Sequence, residues 1–534
     1  MAYQAQEHVR RTFEQLVALL PEQERIRPQI LLVAGEVTPY RNDTDREILF
    51  RQESNFFYLT GCNLPSSVLL ASYQATPASS NAKPITTLFI PAIEEADIMW
   101  SIPPPDLVQA RGLFDATNIE HPTSFPQAIN ALLKDAPNAL VHTLPKNSPL
   151  FPQLPSQYLN QFSPNASPID KYLLPALQRA RLIKDAGELA LIKKANEISS
   201  RAHETVMRVL GLAVKNKISR EKDAGVTRPL LPGEWLIEKE AEAEAIFVAS
   251  CRREGSIHQA YLPIVASAAR AATLHYTCND KDFAWGPVQP TDHLNNNSFT
   301  QTPHPHAAGQ EIDPQVLLID AGCEVNNYAS DITRTMPVGN NGRFTPISGQ
   351  IYDLVLEMQK AAFNMIKPGV HWDRVHLECH KVLVNKFLEL GLFKNGTKEE
   401  ILNSGVSAAF FPHGLGHSLG MDVHDAAEAS RPAKNETIPK ENIGHEKLYP
   451  ALRLRLPLEA GMVVTVEPGV YFHQHLIAPT RNSKYVDVEV LKKYEHMGGV
   501  RLEDVIVITQ DGYENFTTVK SERNWVEGVC SGEL

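Results

Sequence analysis

The sequence has few cysteines, few aromatic residues and no long apolar run, and it carries no excess of positive charge. Its six cysteines are scattered without a CxxC spacing, which is typical of reduced thiols inside a cell rather than of a disulfide framework. No segment approaches the roughly 20 apolar residues that are needed to cross a bilayer. The start, MAYQAQEHVRRTFEQ, lacks the apolar core of a secretory signal. We therefore expect a cytoplasmic protein that does not enter a membrane.

The formal net charge is −11, which argues against nucleic acid as a partner because nucleic-acid binding requires a basic face. A chain of 534 residues exceeds one typical hydrophobic core, so we expect two domains. The Pro- and Ser-rich stretch from Lys146 to Pro175 is the predicted connection between them. The predicted domains cover residues 1–170 and 176–534.

Apolar spacing predicts a helix over Glu7–Leu20 and strands over Gln29–Ala34 and Thr86–Ile90. A long amphipathic helix is predicted to begin at Ala176.

Two polar stretches without any period, 280–313 and 431–449, are predicted to be insertions. The first contains His304 and His306, whose HPH context is more typical of an exposed loop than of a metal site.

Five residues of the C-terminal third have the composition of a two-metal site: Asp320, Asp331, His417, Glu467 and Glu503. Four carboxylates and one imidazole suit a pair of divalent ions. Several of these acids border apolar runs of the β type, as in VLLIDAG, VVTVEPG and LEDVIVI. A charge inside a buried strand is costly unless it is paired or coordinates a metal, so several such charges indicate a metal site.

The segment VLLIDAGCEVNNYASDITRT predicts a β-hairpin with its turn at Asn326 and Asn327. This register places Asp320 opposite Thr333, with Asp331 on the same face one diagonal step away. Diagonal Cβ atoms are about 7–8 Å apart, and two carboxylates can close that gap around metals about 3.5–4 Å apart. Two acids on a solvated hairpin are the alternative for this segment alone, although the preceding apolar run weakens that interpretation.

His417 lies among Gly414, Gly416 and Gly420, so the backbone there can approach its neighbours closely. The glycines disfavour a helix, which argues against a helical zinc pair with His413. His417 alone would more often be a loop histidine than a ligand, and the four acids favour the ligand.

Glu467 is followed by Pro468, so its strand must end there or lie at an edge. Alternation in GVRLEDVIVIT places Arg501 and Glu503 on one face. If Arg501 is buried, it needs a carboxylate partner and would orient the site.

These residues and their surroundings resemble the pita-bread metallopeptidases, which include Xaa-Pro aminopeptidases (aminopeptidase P), Xaa-Pro dipeptidases (prolidases) and methionine aminopeptidases. The matching phrases are IDAGCEVNNYASDITRT, HGLGHSLGMDVHD, EAGMVVTVEPGVYF and GGVRLEDVIVIT. The phrase FRQESNFFYLTGC at 50–62 is similar to the N-terminal domain of the proline-specific branch. The resemblance implies an α+β chain with a pita-bread catalytic domain at 176–534 and a smaller N-terminal α/β domain, similar to that of aminopeptidase P, at 1–170.

The resemblance also implies two divalent ions, usually Mn²⁺. Asp331 and Glu503 would bridge them, Asp320 would bind one ion, and His417 with Glu467 would bind the other. A hydroxide shared by the ions would be the nucleophile, and Glu467 would accept a proton from the attacking water.

His275, His413 and His424 are similar to histidines that line the peptide site, and His424 resembles the one that polarises the substrate carbonyl. Arg501 and Tyr471 resemble residues that support the metal ligands. One departure is the phrase VASAARAATLHY, in which the family would have a glycine near Ala268 or Ala269.

Two activities remain open. The first is an aminopeptidase that acts on peptides with proline in second position, and the second is a dipeptidase restricted to Xaa-Pro dipeptides. The phrase at 50–62 favours the first. A non-catalytic peptide-binding protein is less favoured, because such relatives lose metal ligands and this chain keeps all five. We further expect a homo-oligomer, a dimer or higher.

Overall fold

The computed structural model describes residues 3–74, 83–162, 167–216, 236–285, 312–432 and 444–534. The chain divides into two compact units, Met1–Gly187 and Glu188–Leu534, and both contain helices and strands. This division assigns residues 176–187 to the first unit, whereas the sequence-based boundary lies at 170–176. His304, His306 and most of the two predicted insertions lie outside the described residues.

The first unit contains a five-stranded sheet in the order β4-β3-β2-β1-β5. Its strands are β1 (Gln29–Ala34), β2 (Val68–Tyr73), β3 (Ile85–Phe89), β4 (Asn118–Glu120) and β5 (Leu140–His142). Its helices are α1 (Ala5–Leu19), α2 (Glu22–Arg25), α3 (Ser54–Thr60), α4 (Leu107–Leu113), α5 (Phe125–Asp135), α6 (Ser156–Leu159) and α7 (Leu173–Leu182). The predicted helix near the start and both predicted strands are confirmed.

The core of this sheet forms because alternate strand residues point to one face. Leu32 on β1 lies directly opposite Leu70 on β2. Both pack in one buried cluster with Phe89 of β3 and with Phe125 and Ile129 of α5. The α5 helix therefore covers the apolar face that these strands create.

The single helix predicted from Ala176 is wrong, because the chain forms α7 and then α8 (Ala186–Asn216). Ile183 between them is extended, with φ −104° and ψ 116°. The side chain of Asp185 accepts the backbone N–H of Gly187 at 2.8 Å, which is the bond of a helix N-cap. The apolar period continues across this break, so periodicity alone did not reveal it.

The second unit contains most of α8 and a set of smaller sheets, in the orders β10-β7-β6, β11-β14-β15, β12-β13 and β8-β9. Its strands are β6 (Ile264–Ser267), β7 (Gln315–Asp320), β8 (Glu324–Val325), β9 (Tyr328–Ala329), β10 (Thr333–Val338), β11 (Val463–Val466), β12 (Gly469–Tyr471), β13 (Gly499–Arg501), β14 (Asp504–Ile508) and β15 (Tyr513–Asn515). Its other helices are α9 (Glu240–Arg253), α10 (Pro346–Met365), α11 (Trp372–Glu389), α12 (Lys398–Ser404), α13 (Gln474–Ile477), α14 (Val488–Leu491) and α15 (Arg523–Cys530).

Every residue of β7, β10, β11 and β14 is buried. Polar side chains at the ends of these strands therefore project into the interior of the unit. Among the described residues, no helix combines the length and the apolar character that spanning a membrane requires.

Candidate metal centre

The hairpin register predicted from the sequence is confirmed. Asp320, the last residue of β7, pairs with Thr333, the first of β10. The turn residues Asn326 and Asn327 have φ values of 47° and 64°, which suit a type I′ turn and which asparagine tolerates well. The turn chemistry therefore sets the pairing that places Asp320 and Asp331 side by side.

His417 reaches the centre because its segment runs along β11 at very short range. The backbone N–H of Thr465 donates to the carbonyl oxygen of His417 at 3.0 Å. A Cβ atom on Gly416 would lie 1.9 Å from the carbonyl oxygen of Thr465. Only glycine fits at that position, which confirms that the glycines permit a close approach.

Glu467 directly follows β11, as its position before Pro468 predicted. Glu503 lies in a break between β13 and β14, which belong to different sheets, so the continuous strand that alternation predicted is interrupted. The backbone N–H of Glu503 donates to the carbonyl oxygen of Thr333 at 3.1 Å. Arg501 and Glu503 nevertheless both line one cavity.

That cavity has a volume of about 220 Å³, and nine of the sequence-predicted site residues line it: His275, Asp320, Asp331, His413, His417, His424, Glu467, Arg501 and Glu503. Asp331, His417 and Glu503 each offer one ligand atom, and these three atoms lie within 4.8 Å of one another. The Nε2 atom of His417 is 3.3 Å from Asp331 and 3.5 Å from Glu467.

The electrostatics of the centre favour bound cations. Burial, followed by the charge of a neighbouring carboxylate, raises the pKa of Asp331, Glu467 and Glu503 well above the ordinary range. Acids packed in this way repel one another, and divalent cations offset such repulsion. The residues therefore fit a divalent metal centre.

The tautomer and the protonation state of His417 also suit metal binding. Its Nδ1 lies 3.1 Å from the carbonyl oxygen of Ser418 and would donate to it, which leaves the lone pair of Nε2 directed at the acids. Burial lowers the pKa of His417 to about 4. The ring is therefore neutral near pH 7, as a metal-binding imidazole must be.

Tyr261 also contacts the acids, and the sequence analysis did not identify it. Its hydroxyl lies 2.5 Å from Asp320 Oδ1 and 2.6 Å from Asp331 Oδ1. One hydroxyl hydrogen is thus shared between the two carboxylates that the hairpin brings together. No local pattern around Tyr261 in the sequence signals this contact.

Arg501 has the carboxylate partner that the sequence predicted for a buried arginine. It is 3% exposed, and its Nη2 donates to Asp320 at 2.6 Å. Its Nη1 donates to the Tyr471 hydroxyl at 2.8 Å, and that hydroxyl lies 2.8 Å from Nε2 of His413. A continuous chain of hydrogen bonds therefore links a predicted metal ligand to a predicted substrate histidine.

The three predicted substrate histidines differ in what they offer. Both ring nitrogens of His413 are engaged, since its Nδ1 lies 2.9 Å from the Gly414 carbonyl oxygen. Within the described part of the chain, the rings of His275 and His424 form no hydrogen bond. His424 packs edge-on to His417, with ring centroids 4.4 Å apart. His275 and His424 are therefore the two histidines that are open to a substrate.

Ala268 lies where a glycine would be expected, and its backbone explains that expectation. Its φ is +52°, in the left-handed region that disfavours residues with a Cβ atom. Its carbonyl oxygen would lie 2.0 Å from a Cβ atom on Gly498. The turn before His275 is thus strained and closely packed.

Arg453 is a second residue that the sequence analysis missed. It is exposed and lines the cavity, and its charge contributes to the lowered pKa of His417 and His424, after the larger effect of burial. The phrase LRLRL around it resembles a surface strand, so the sequence offers no signal of this position.

Comparisons with known proteins identify the family of each part of the chain. The model of metallopeptidase family M24 matches residues 190–510, and the model of the aminopeptidase P N-terminal domain matches residues 6–142. The chain is 36% identical over 534 residues to a probable Xaa-Pro aminopeptidase of Pyricularia oryzae, across 99% of this chain and 97% of that protein. A probable Xaa-Pro aminopeptidase of Tuber melanosporum is 35% identical, across 97% and 95% of the two chains.

Solved structures show the same similarity. The aminopeptidase PepP of Pseudomonas aeruginosa superposes with a TM-score of 0.70 at 27% identity, across 99% of this chain and 98% of that one. Zinc-substituted aminopeptidase P of E. coli, solved in complex with product, gives a TM-score of 0.68 at 26% identity, across 99% of both chains.

Proposed function

The chain belongs to metallopeptidase family M24, and on that basis we propose that it is a metalloaminopeptidase that releases the N-terminal residue from peptides with proline in second position. The observation that carries the proposal is the convergence of the five predicted metal ligands and two open histidines in one cavity. Substrate-binding groups and metal-binding groups together are what hydrolysis of a peptide bond requires.

We propose that Asp320, Asp331, His417, Glu467 and Glu503 would hold two divalent ions, with Asp331 and Glu503 shared by both, Asp320 on one, and His417 with Glu467 on the other. When bound, such ions lower the pKa of water toward neutrality and polarise a carbonyl oxygen. The carboxylate of Glu467 would accept the proton that the attacking water loses.

The neutral ring of His424 would donate an N–H to the substrate carbonyl oxygen and stabilise the charge that develops there. His275 would contact the peptide on the opposite side of the scissile bond. His413 cannot do the same while both of its nitrogens are engaged, so we assign it to positioning, together with Tyr471 and Arg501.

Proline explains why such a site is needed. An Xaa-Pro bond lacks the N–H that peptidases of extended chains use to align their substrates, and its ring fixes φ. A site that binds the carbonyl group and holds the ring by shape does not depend on that hydrogen bond.

We extend the proposal to Mn²⁺ as the native ion, because four of the five ligands are carboxylates, which suit Mn²⁺. We also propose a cytoplasmic location and a homo-oligomer. Reconstitution with Mn²⁺, Zn²⁺, Co²⁺ and Mg²⁺ in turn would test the metal. Fractionation of cells would test the compartment, and analytical ultracentrifugation would test the oligomer.

One observation keeps the dipeptidase alternative open. Arg453 is an exposed cation at the cavity, and it could pair with the free carboxylate of a dipeptide. The deciding experiment supplies the Mn²⁺-loaded protein with an Xaa-Pro tripeptide, the matching dipeptide and an Xaa-Ala tripeptide, with products identified by mass spectrometry.

We expect release of the first residue from the Xaa-Pro tripeptide and no cleavage of the Xaa-Ala control. Cleavage of the dipeptide alone would establish the dipeptidase instead. A protein that binds the metal and the peptide but cleaves neither would be a binding module.

A further inference from the structure

The loop that carries His275 forms several hydrogen bonds to one buried acid, Glu240. Glu240 is the first residue of α9 and is 0% exposed. Its Oε1 accepts the backbone N–H of Ser267 at 2.9 Å, the Ser267 hydroxyl at 2.8 Å and the Nε–H of Arg270 at 2.8 Å. Its Oε2 accepts the Tyr276 hydroxyl at 2.8 Å and the backbone N–H of Lys281 at 3.2 Å.

The residues that bind Glu240 lie on both sides of His275 in the sequence. Ser267 ends β6 immediately before the turn Ala268–Ala272, and Tyr276 directly follows His275. Since the His275 ring makes no hydrogen bond of its own within the described residues, the backbone on either side of it must set its position. Both ends of that backbone segment are bound to Glu240.

The loop would not adopt this shape by its own preference. Ala268 has a φ of +52°, and strained residues of this kind persist only where the surroundings impose them. On one side, the turn lies so close to Gly498 and Gly499 that no side chain fits between them. On the other side, Arg270 donates to Glu240 and also to the carbonyl oxygen of Asp282 at 3.1 Å.

We infer that Glu240 is a positioning residue for His275, which it fixes at the cavity through Ser267, Arg270 and Tyr276. The inference rests on the proposed function only in that His275 contacts the substrate. All five contacts to Glu240 come from donors, and an ionised carboxylate can accept them all. A glutamine amide would turn one of the two acceptor atoms into a donor and would remove the charge that Arg270 pairs with.

The test is a double-variant cycle with Glu240→Gln and His275→Ala. We expect Glu240→Gln alone to lower kcat/KM for an Xaa-Pro tripeptide by about 10- to 100-fold, because a displacement near 1 Å can cost that much. Metal content and metal affinity should stay at wild-type values, since Glu240 contacts no predicted ligand. In the His275→Ala background, Glu240→Gln should cause no further loss.

Losses that multiply in the double variant, or a loss of bound metal in Glu240→Gln, would overturn the inference. Tyr276→Phe removes a single donor and keeps the test available if Glu240→Gln folds poorly. It should give a smaller loss of kcat/KM that also vanishes in the His275→Ala background.

Glu527→Gln is the matched control, because Glu527 is buried on α15 and accepts the backbone N–H of Phe344 at 3.2 Å. This variant should lower the unfolding midpoint without changing kcat/KM.

A measurement without substrate separates this inference from the proposed function. In metal-free protein with ¹³Cε1-labelled histidine, the His275 signal is identified by its loss in His275→Ala. Glu240→Gln should shift or broaden that signal and leave the signal of the buried His376 unchanged. An unchanged His275 signal would refute the positioning role, whereas an inactive wild-type enzyme with a shifted signal would refute only the peptidase proposal.

Discussion

The strands β7 and β10 of the hairpin that carries Asp320 and Asp331 are buried throughout, whereas the loop that carries His275 reaches the same cavity from an exposed position. Register and turn type place the hairpin acids, and both are local properties of the chain. The His275 loop takes its shape from contacts with distant residues, Glu240 on α9 and Gly498 before β13. The difference teaches that this cavity combines a proposed metal-binding side, which strand pairing builds, with a proposed substrate side, which distant residues hold in place.

The strongest test of this contrast is Asp331→Ala in the hairpin. We expect a loss of kcat of about 1,000-fold or more, because the proposed bridging ligand is removed. The fold should survive, and the metal-free protein should not unfold at a lower temperature, because one of several mutually repelling acids is gone. Activity, metal content and the unfolding midpoint are the measurements, and Asp511→Ala in an exposed turn is the control. Retained activity would contradict the bridging role.

Gly416→Ala tests whether the metal side depends on close backbone packing. The added Cβ atom would lie 1.9 Å from the carbonyl oxygen of Thr465, so the variant should lose about 3 kcal/mol of unfolding free energy, as overpacked sites do. Denaturant unfolding measures this change. Gly512→Ala is the control, since a Cβ atom there meets nothing within 4 Å. Equal stability of the two variants would show that β11 and its neighbour can move apart.

Tyr261→Phe asks whether the hairpin places its acids without outside help. Removing the shared hydroxyl should weaken metal binding by about 10- to 100-fold, the usual cost of losing a partner of a metal ligand. Isothermal titration of metal-free protein with Mn²⁺ measures the affinity. Tyr513→Phe, on the surface strand β15, is the control. An unchanged affinity would mean that pairing alone fixes the two acids.

The smallest expected effect lies on the substrate side, where Ala268→Gly relieves a strained backbone. The left-handed backbone of an alanine destabilises the folded state by about 1–2 kcal/mol. Glycine removes this strain, but its greater freedom in the unfolded chain lowers the stability by about 0.5–1 kcal/mol. The variant should therefore be more stable by about 0.5–1 kcal/mol, measured by urea unfolding. A loss of stability would show that the Ala268 methyl group contributes packing that outweighs the strain.

The sequence predicted most of the metal side because its signals are local. Apolar runs around Asp320, Glu467 and Glu503 predicted strands. The Asn326-Asn327 pair predicted the turn that sets the register of the hairpin between Asp320 and Asp331. Predictions from sequence periodicity were wrong where one periodic pattern runs through two separate helices or strands. The apolar period runs through the break at Ile183, and the alternation from Arg501 to Val507 runs through the break at Glu503.

Tyr261, Arg453 and Glu240 could not be predicted in the same way. Each contributes through a partner that is distant in the sequence, as Tyr261 does with Asp320 and Asp331. Glu240 belongs to the charged phrase KEAEAEA, which predicts a solvated helix, yet the fold buries it completely. The long-range contacts that give these residues their roles leave no period or motif near them.

The sequence by itself indicated five candidate metal-binding side chains, the turn between two of them and the family to which the chain belongs. Only the tertiary structure decided that His413 is engaged while His275 and His424 are open, and that Glu240 supports the loop of His275. The physical reason is the range of the interactions. Strand pairing and turn geometry follow from neighbouring residues, whereas the availability of a ring nitrogen depends on which distant donors and acceptors the fold brings to it.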